Sequence, residues 1–293
     1  MIPRILILAL VCAATVLPVR GQLAVALDIK RRTFLRYEPI LATVRITNLS
    51  GRDLMLHDEG QPWFGFEIQG EGGLVTPRDT DYRLDPLEIK IGETVKRTVD
   101  LMKLYAISEL GQQRIRVTVF ARPLNQSFSS KPDMINITEG KVLWQQTVGV
   151  PDTLPNAGRN HSIKLIEFPD DKRYLYARVE DEEQAYVFCT RRLGHMIDGT
   201  TPQMQLDTSN NLYVLHLIAP KTYSLTNIGV NGELLGQYQC TAPKVKPYLR
   251  RLADGTIQLV GAHRNPTAPP SGTVASGTPP AKLSDRPPGL PSN

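Results

Sequence analysis

The residues with the widest chemical range in this 293-residue chain are five histidines, three cysteines and scattered carboxylates, and their spacing decides what they can do together. A zinc hydrolase of the H-E-x-x-H type sets two histidines one helical turn apart, so that both reach a tetrahedral ion from one face. His57, His161, His195, His216 and His263 show no such spacing. His216 falls inside an apolar strip, where a hydrogen-bonded structural imidazole is expected rather than a ligand. The nucleophile-elbow pattern G-x-S-x-G is absent, as are the Gly-rich phosphate loops of Walker and dinucleotide type. Asp79, Asp81 and Asp85 share the segment PRDTDYRLDP. A Ca²⁺ ion takes about six to eight oxygens, and this segment lacks the central glycine and final glutamate of a calcium loop. His57-Asp58-Glu59 and the acidic run from Glu180 to Glu183 read as solvated charge. The sequence therefore assigns no catalytic, cofactor-binding or metal-binding residue, and no cofactor is expected.

Two pairs remain as candidates. Cys12 lies in the apolar leader, so Cys189 and Cys240 would be the thiols of a processed chain. In an oxidising compartment they form a disulfide worth about 3–4 kcal/mol, or they stay as a buried free pair; both readings are open. Trp63 and Phe64 follow Gln61-Pro62 at an expected loop edge. There they are a possible contact for a glycan or a protein, with core packing as the alternative. Asn48, Asn125, Asn136 and Asn160 each begin an N-x-S/T triplet.

The elements that position these residues are strands. Leu23, Val25, Leu27 and Ile29 alternate with Ala24, Ala26, Asp28 and Lys30, the two-residue period of a half-buried strand. Residues 40–47 repeat the pattern and stop at Asn48-Leu49-Ser50-Gly51, a turn composition. Leu54 and Leu56, then Phe64, Phe66 and Ile68, then the segments around Leu87, Val95 and Ile115 continue it. Pro123 to Gly140 is polar and reads as a long loop before a strand at Val142-Leu143-Trp144; residues 151–161 have linker composition. Beyond them, apolar strips near Ile163, Tyr174, Tyr186, Leu212 and Tyr223 form an antiparallel meander, with hairpin turns at Asn231-Gly232 and Asp254-Gly255. The stretch from Leu101 to Leu110 has room for one short helical turn.

The segments VRITNLSGRDLML and LEIKIGETVKRTVDLMKLYAISELGQQRIRVTVF resemble the immunoglobulin-like sandwich modules of secreted bacterial proteins and the macroglobulin-type domains. The resemblance implies a β-sandwich over about 100 residues. It also implies that Tyr105 acts as a tyrosine corner tying a sheet edge to its loop. It implies no function. In the C-terminal half, Leu175-Tyr176 and Leu212-Tyr213 each open a strand, an echo that resembles successive propeller blades. There is room for about two blades, too few to close a ring.

The ends complete the organisation. Arg4, the apolar run from Ile5 to Val19 and the small residue Gly21 have the shape of a signal peptide, too short for a comfortable membrane span. From Arg264 onward Pro, Gly, Ser and Thr dominate, as in a disordered tail. The chain carries +5 overall; without the leader and tail the body carries about +1, which argues against nucleic acid as a partner. The expected organisation is a signal peptide over 1–21 and an immunoglobulin-like β-sandwich over 22–150. A linker over 151–161, an antiparallel β-meander or sandwich over 162–263 and a disordered tail over 264–293 follow. The fold class is mainly β. The expected function is a secreted or periplasmic, non-catalytic interaction or structural module that binds a protein or polysaccharide and keeps no membrane span after cleavage. The alternative is a secreted hydrolase or protease inhibitor whose site assembles only in three dimensions.

Overall fold

A computed structural model describes residues 22–60, 62–78, 84–181, 186–242, 244–265 and 281–282. The expected leader, most of the expected tail, Asp79, Asp81, Glu182 and Glu183 lie outside the described residues. The protein is mainly β: among the described residues the only helical pieces are one turn of α-helix, Leu101–Leu104, and one 3-10 turn, Arg122–Leu124. None of these helices is long and apolar enough to cross a membrane.

The N-terminal half contains β1 (Leu23–Ile29), β2 (Thr33–Leu35), β3 (Leu41–Asn48), β4 (Leu54–Leu56), β5 (Phe64–Gly70), β6 (Gly73–Leu74), β7 (Leu87–Ile89), β8 (Thr94–Asp100), β9 (Gly111–Ala121), β10 (Gln126–Ser129) and β11 (Asp133–Thr138). One sheet runs β1-β3-β8; a larger one runs β2-β11-β9-β5-β6 with β10 also on β9; β4 and β7 make a ribbon. All pairs are antiparallel except β2 with β11. The alternation read from the sequence is the alternation of burial: Ala42, Val44 and Ile46 of β3 and Ile115, Val117 and Val119 of β9 enter one core, and the residues between them do not. A register slip of one residue would expose the whole set, which is why the pairing is unique. Each large side chain removed from water in this way contributes about 1.5–3 kcal/mol.

Side chains tie the ends of these strands. Asn48 closes β3: its Nδ2 donates to the carbonyls of Arg52 at 2.7 Å and Ile89 at 2.9 Å, and its Oδ1 accepts from the Ser50 amide at 3.0 Å and hydroxyl at 2.7 Å. Asp100 caps the α-turn by accepting from Met102 N and also accepts from Ile40 N, each at 3.1 Å. Tyr105, just after that turn, donates its hydroxyl to Phe66 O and accepts from Phe66 N, both at 2.9 Å. The tie runs from the turn to the opposite sheet.

The C-terminal half contains β12 (Lys141–Gly149), β13 (Asn160–Pro169), β14 (Arg173–Asp181), β15 (Tyr186–His195), β16 (Gln203–Leu206), β17 (Leu212–Ala219), β18 (Thr222–Ile228), β19 (Leu234–Thr241), β20 (Tyr248–Arg251), β21 (Ile257–Val260), β22 (His263–Arg264) and β23 (Ala281–Lys282). Strands β12 to β15 form one antiparallel meander with β23 at its far edge, and β16 to β19 form a second with β22 added. Ile163, Leu165, Leu175, Ala177 and Val179 of the first meet Leu206, Leu212, Val214 and Ile228 of the second in one core. The β20–β21 hairpin covers the other face of the second meander, through Leu249, Ile257 and Leu259 on Leu215, Leu225 and Cys240.

The expected linker is corrected by this topology. β12 pairs with β13 from Lys141↔Glu167 to Gly149↔Asn160, so residues 150–159 are the loop of a hairpin inside one sheet. Val150 N donates to Arg159 O at 2.9 Å, and Asn156 and Gly158 take left-handed conformations there. Pro, Asp, Asn and Gly serve linkers and tight turns alike, and only the pairing of the flanking strands separates the two. The expected strand at 142–144 is accordingly longer and belongs to the second half. The expected tail loses its first residue as well, since Arg264 is in β22.

Candidate functional site

The two aromatic contact candidates face inward. Trp63 is 1% exposed, its amide donates to Asp58 Oδ1 at 2.9 Å, and its ring lies 5.5 Å from that of Phe64. Phe64 is also buried and meets Phe66 edge to face at 5.2 Å. Trp63 directly precedes β5, so the start of the strand points the pair into the sandwich, and neither ring is a surface contact.

Of the two readings open for Cys189 and Cys240, the structure has the free thiols. Cys189 packs on the core shared by the two meanders, whereas Cys240 lies under the β20–β21 hairpin on the other face of the β16–β19 sheet. Burial pushes the Cys189 thiol up to about 11 and also raises that of Cys240, so neither is a ready nucleophile at neutral pH. His216 is 1% exposed on the inner face of β17, and burial first, then the neighbouring His195, pushes it down to about 4. It is a neutral imidazole in a core. His57 Nε2 bonds Glu59 Oε1 at 2.6 Å on the surface; that bond, followed by the Arg122 charge, lowers the Glu59 carboxyl. Among the described residues no group of three or more His, Cys, Asp or Glu is placed to hold a metal ion.

Part of the acidic run read as solvated is buried. Glu180 and Asp181 are both inside, and Glu180 belongs to a seam of charge that joins the two halves. The outer face of β14 carries Tyr174, Tyr176, Arg178 and Glu180 towards the N-terminal half. Arg178 donates to Thr190 Oγ1 at 3.0 Å, to Glu139 at 3.3 Å and to the Arg36 carbonyl, lies 3.6 Å from Glu180, and stacks 5.3 Å from the Tyr37 ring centre. Lys164 pairs with the same Glu180. Arg31 donates to Tyr176 Oη at 3.1 Å and pairs with buried Glu38, and Leu35 packs among Ile166, Phe168 and Tyr176. Every charged member has an opposite charge or backbone partner, so the seam is structural and offers no open acid or base.

One polar, aromatic cluster does face solvent. It lies on the outer face of the β16–β19 sheet beside the hairpin that covers the rest. Tyr213 of β17 pairs with Asn227 of β18, Leu225 of β18 with Tyr238 of β19, and Cys240 with Arg264 of β22. Tyr238 is 41% exposed, with the Arg264 guanidinium 4.7 Å from its ring centre. A β-carbon at Gly236 would fall 2.7 Å from the Tyr238 ring, so the missing side chain there lets the ring lie across the strand. Tyr213 hydrogen-bonds Asn227, and burial, then the Asp207 charge, raise its hydroxyl above the ordinary phenol value. It stays a protonated donor. Two rings, a guanidinium and an amide can stack on and hydrogen-bond a ligand, but they supply no activated nucleophile. Sequence reasoning passed over this cluster because each tyrosine looks like one more strand residue. The available signal was phase: Tyr213 is out of step with core-facing Leu212 and Val214.

No protein-family model matches this chain, and no curated protein sequence matches it. Among solved structures the chain is similar to the sporulation control protein Spo0M of Bacillus subtilis, at 11% identity over 56% of this chain and 81% of that one, with a TM-score of 0.28. No residue role passes between the two at that level of similarity.

Proposed function

We propose that the chain is an exported, non-catalytic interaction module of the cell envelope or extracellular space, with an immunoglobulin-like sandwich as its N-terminal half. The cluster of exposed Tyr238 and Arg264 with half-buried Tyr213 and Asn227 carries this reading, because it combines stacking surface with directed donors on one sheet face. The partner is a protein or polysaccharide. The signal-peptide shape of the first 21 residues supports a secreted or periplasmic location. Purified protein is to be mixed with envelope fractions and extracellular polymer and pulled down. Wild type is retained and the Tyr238→Ala/Arg264→Ala variant is lost; equal retention of the two, or none of wild type, overturns the reading.

A further inference from the structure

The solvent face of the β1-β3-β8 sheet has an arrangement that sheet stability alone does not favour. Three rows cross it: Ala24, Thr47 and Thr94; Ala26, Arg45 and Lys96; Asp28, Thr43 and Thr98. In the middle row two cations stand directly opposite one another, and like charges so placed destabilise a sheet. Both are exposed, and neither is paired with a carboxylate among the described residues. Asp28, in the next row, is the one acid in the three rows. The threonines flank the cations in pairs, Thr43 Oγ1 to Thr98 Oγ1 at 3.1 Å and Thr47 Oγ1 to Thr94 Oγ1 at 2.8 Å. Each pair uses one hydroxyl hydrogen internally and leaves the other for a ligand. Alanines on β1 keep the face low beside the cations.

We propose that this face binds a linear acidic polysaccharide, with Arg45 and Lys96 on its carboxylates or sulfates and the threonine hydroxyls on its oxygens. The charge is local, since the body as a whole is near neutral, and so it selects a ligand that lies along these three rows. Rows recur every two residues, about 6.8 Å apart, which suits a polymer with repeating acid groups. An acidic peptide would use a strand edge, whereas the donors here stand on the face of the sheet. This site is separate from the tyrosine cluster and does not depend on it.

The test is binding of the full chain to alginate, a linear uronate polymer, with neutral dextran and poly-glutamate as the other arms. Wild type binds alginate and not dextran, and added salt weakens the binding. Arg45→Thr/Lys96→Thr weakens it about tenfold. Thr43→Val/Thr98→Val weakens it less. The thermal midpoint of Arg45→Thr/Lys96→Thr is no lower than that of wild type, because a repulsion has been removed. Alginate binding no better than dextran, an unchanged double cation variant, or tighter binding of poly-glutamate overturns the proposal.

Discussion

Asn48 shows how much one side chain can settle. Its four hydrogen bonds join the end of β3 to the turn after it and to β7, and its side chain is fully buried. Asn48→Ala leaves the carbonyls of Arg52 and Ile89 without this donor, and we expect a loss of about 2–4 kcal/mol, read from urea midpoints. The same burial takes Asn48 out of the set of usable N-x-S/T acceptors. His216 gives the pH dependence. Its folded pKa of about 4 lies below the ordinary 6.5, so the unfolded chain takes up its proton first. The neutral form stabilises the fold fully above about pH 6.5, and this contribution is lost as pH falls through about 4. Over that window it amounts to about 3 kcal/mol. Urea midpoints at pH 7 and pH 4.5 should fall further apart for wild type than for His216→Leu; equal falls would remove His216 as the cause.

At the scale of elements, the joint between halves leaves the chain little freedom. Gly140, between β11 and β12, takes φ +42°, and a β-carbon there would meet Ile166 Cγ2 at 2.6 Å and Glu167 O and Leu35 Cδ1 at 2.9 Å. Both the backbone and its surroundings exclude a larger residue. Gly140→Val should cost about 2–4 kcal/mol by denaturant melts, whereas the same change at Gly199, with open space around its α-carbon, should cost less. Strand existence was legible here because alternation is local: β1, β3, β9, β13 to β15 and β17 to β19 stand where period two puts them. Strand partnership was not. The 142–144 strip was read as the last strand of the first half, yet β12 is longer and hydrogen-bonds into the second, since pairing depends on which edge is free in space.

Across the whole molecule, the seam around Arg178 makes the halves interdependent. A buried ion pair adds little net stability against an apolar alternative, but removal of one partner strands the other at a cost of about 3–5 kcal/mol. Arg178→Ala leaves Glu180 with Lys164 alone and removes the tie to Arg36 and Glu139. Wild type is expected to unfold in one calorimetric transition. Arg178→Ala should lower the midpoint or split it into two; an unchanged single transition would mean that the halves are held together by something other than this seam.

The sequence by itself determined that the chain is mainly β, where most strands run, and that Asn231-Gly232 and Asp254-Gly255 turn hairpins, because side-chain alternation and turn chemistry act over a few residues. Only the tertiary structure decided that Trp63 is buried, that Cys189 of one sheet and Cys240 of the other lie on either side of the β16–β19 sheet, that Glu180 pairs instead of being solvated, and that Tyr213, Tyr238 and Arg264 share a surface. Those outcomes depend on which strands become neighbours and which faces the sheets turn to each other, and these contacts join residues tens of positions apart.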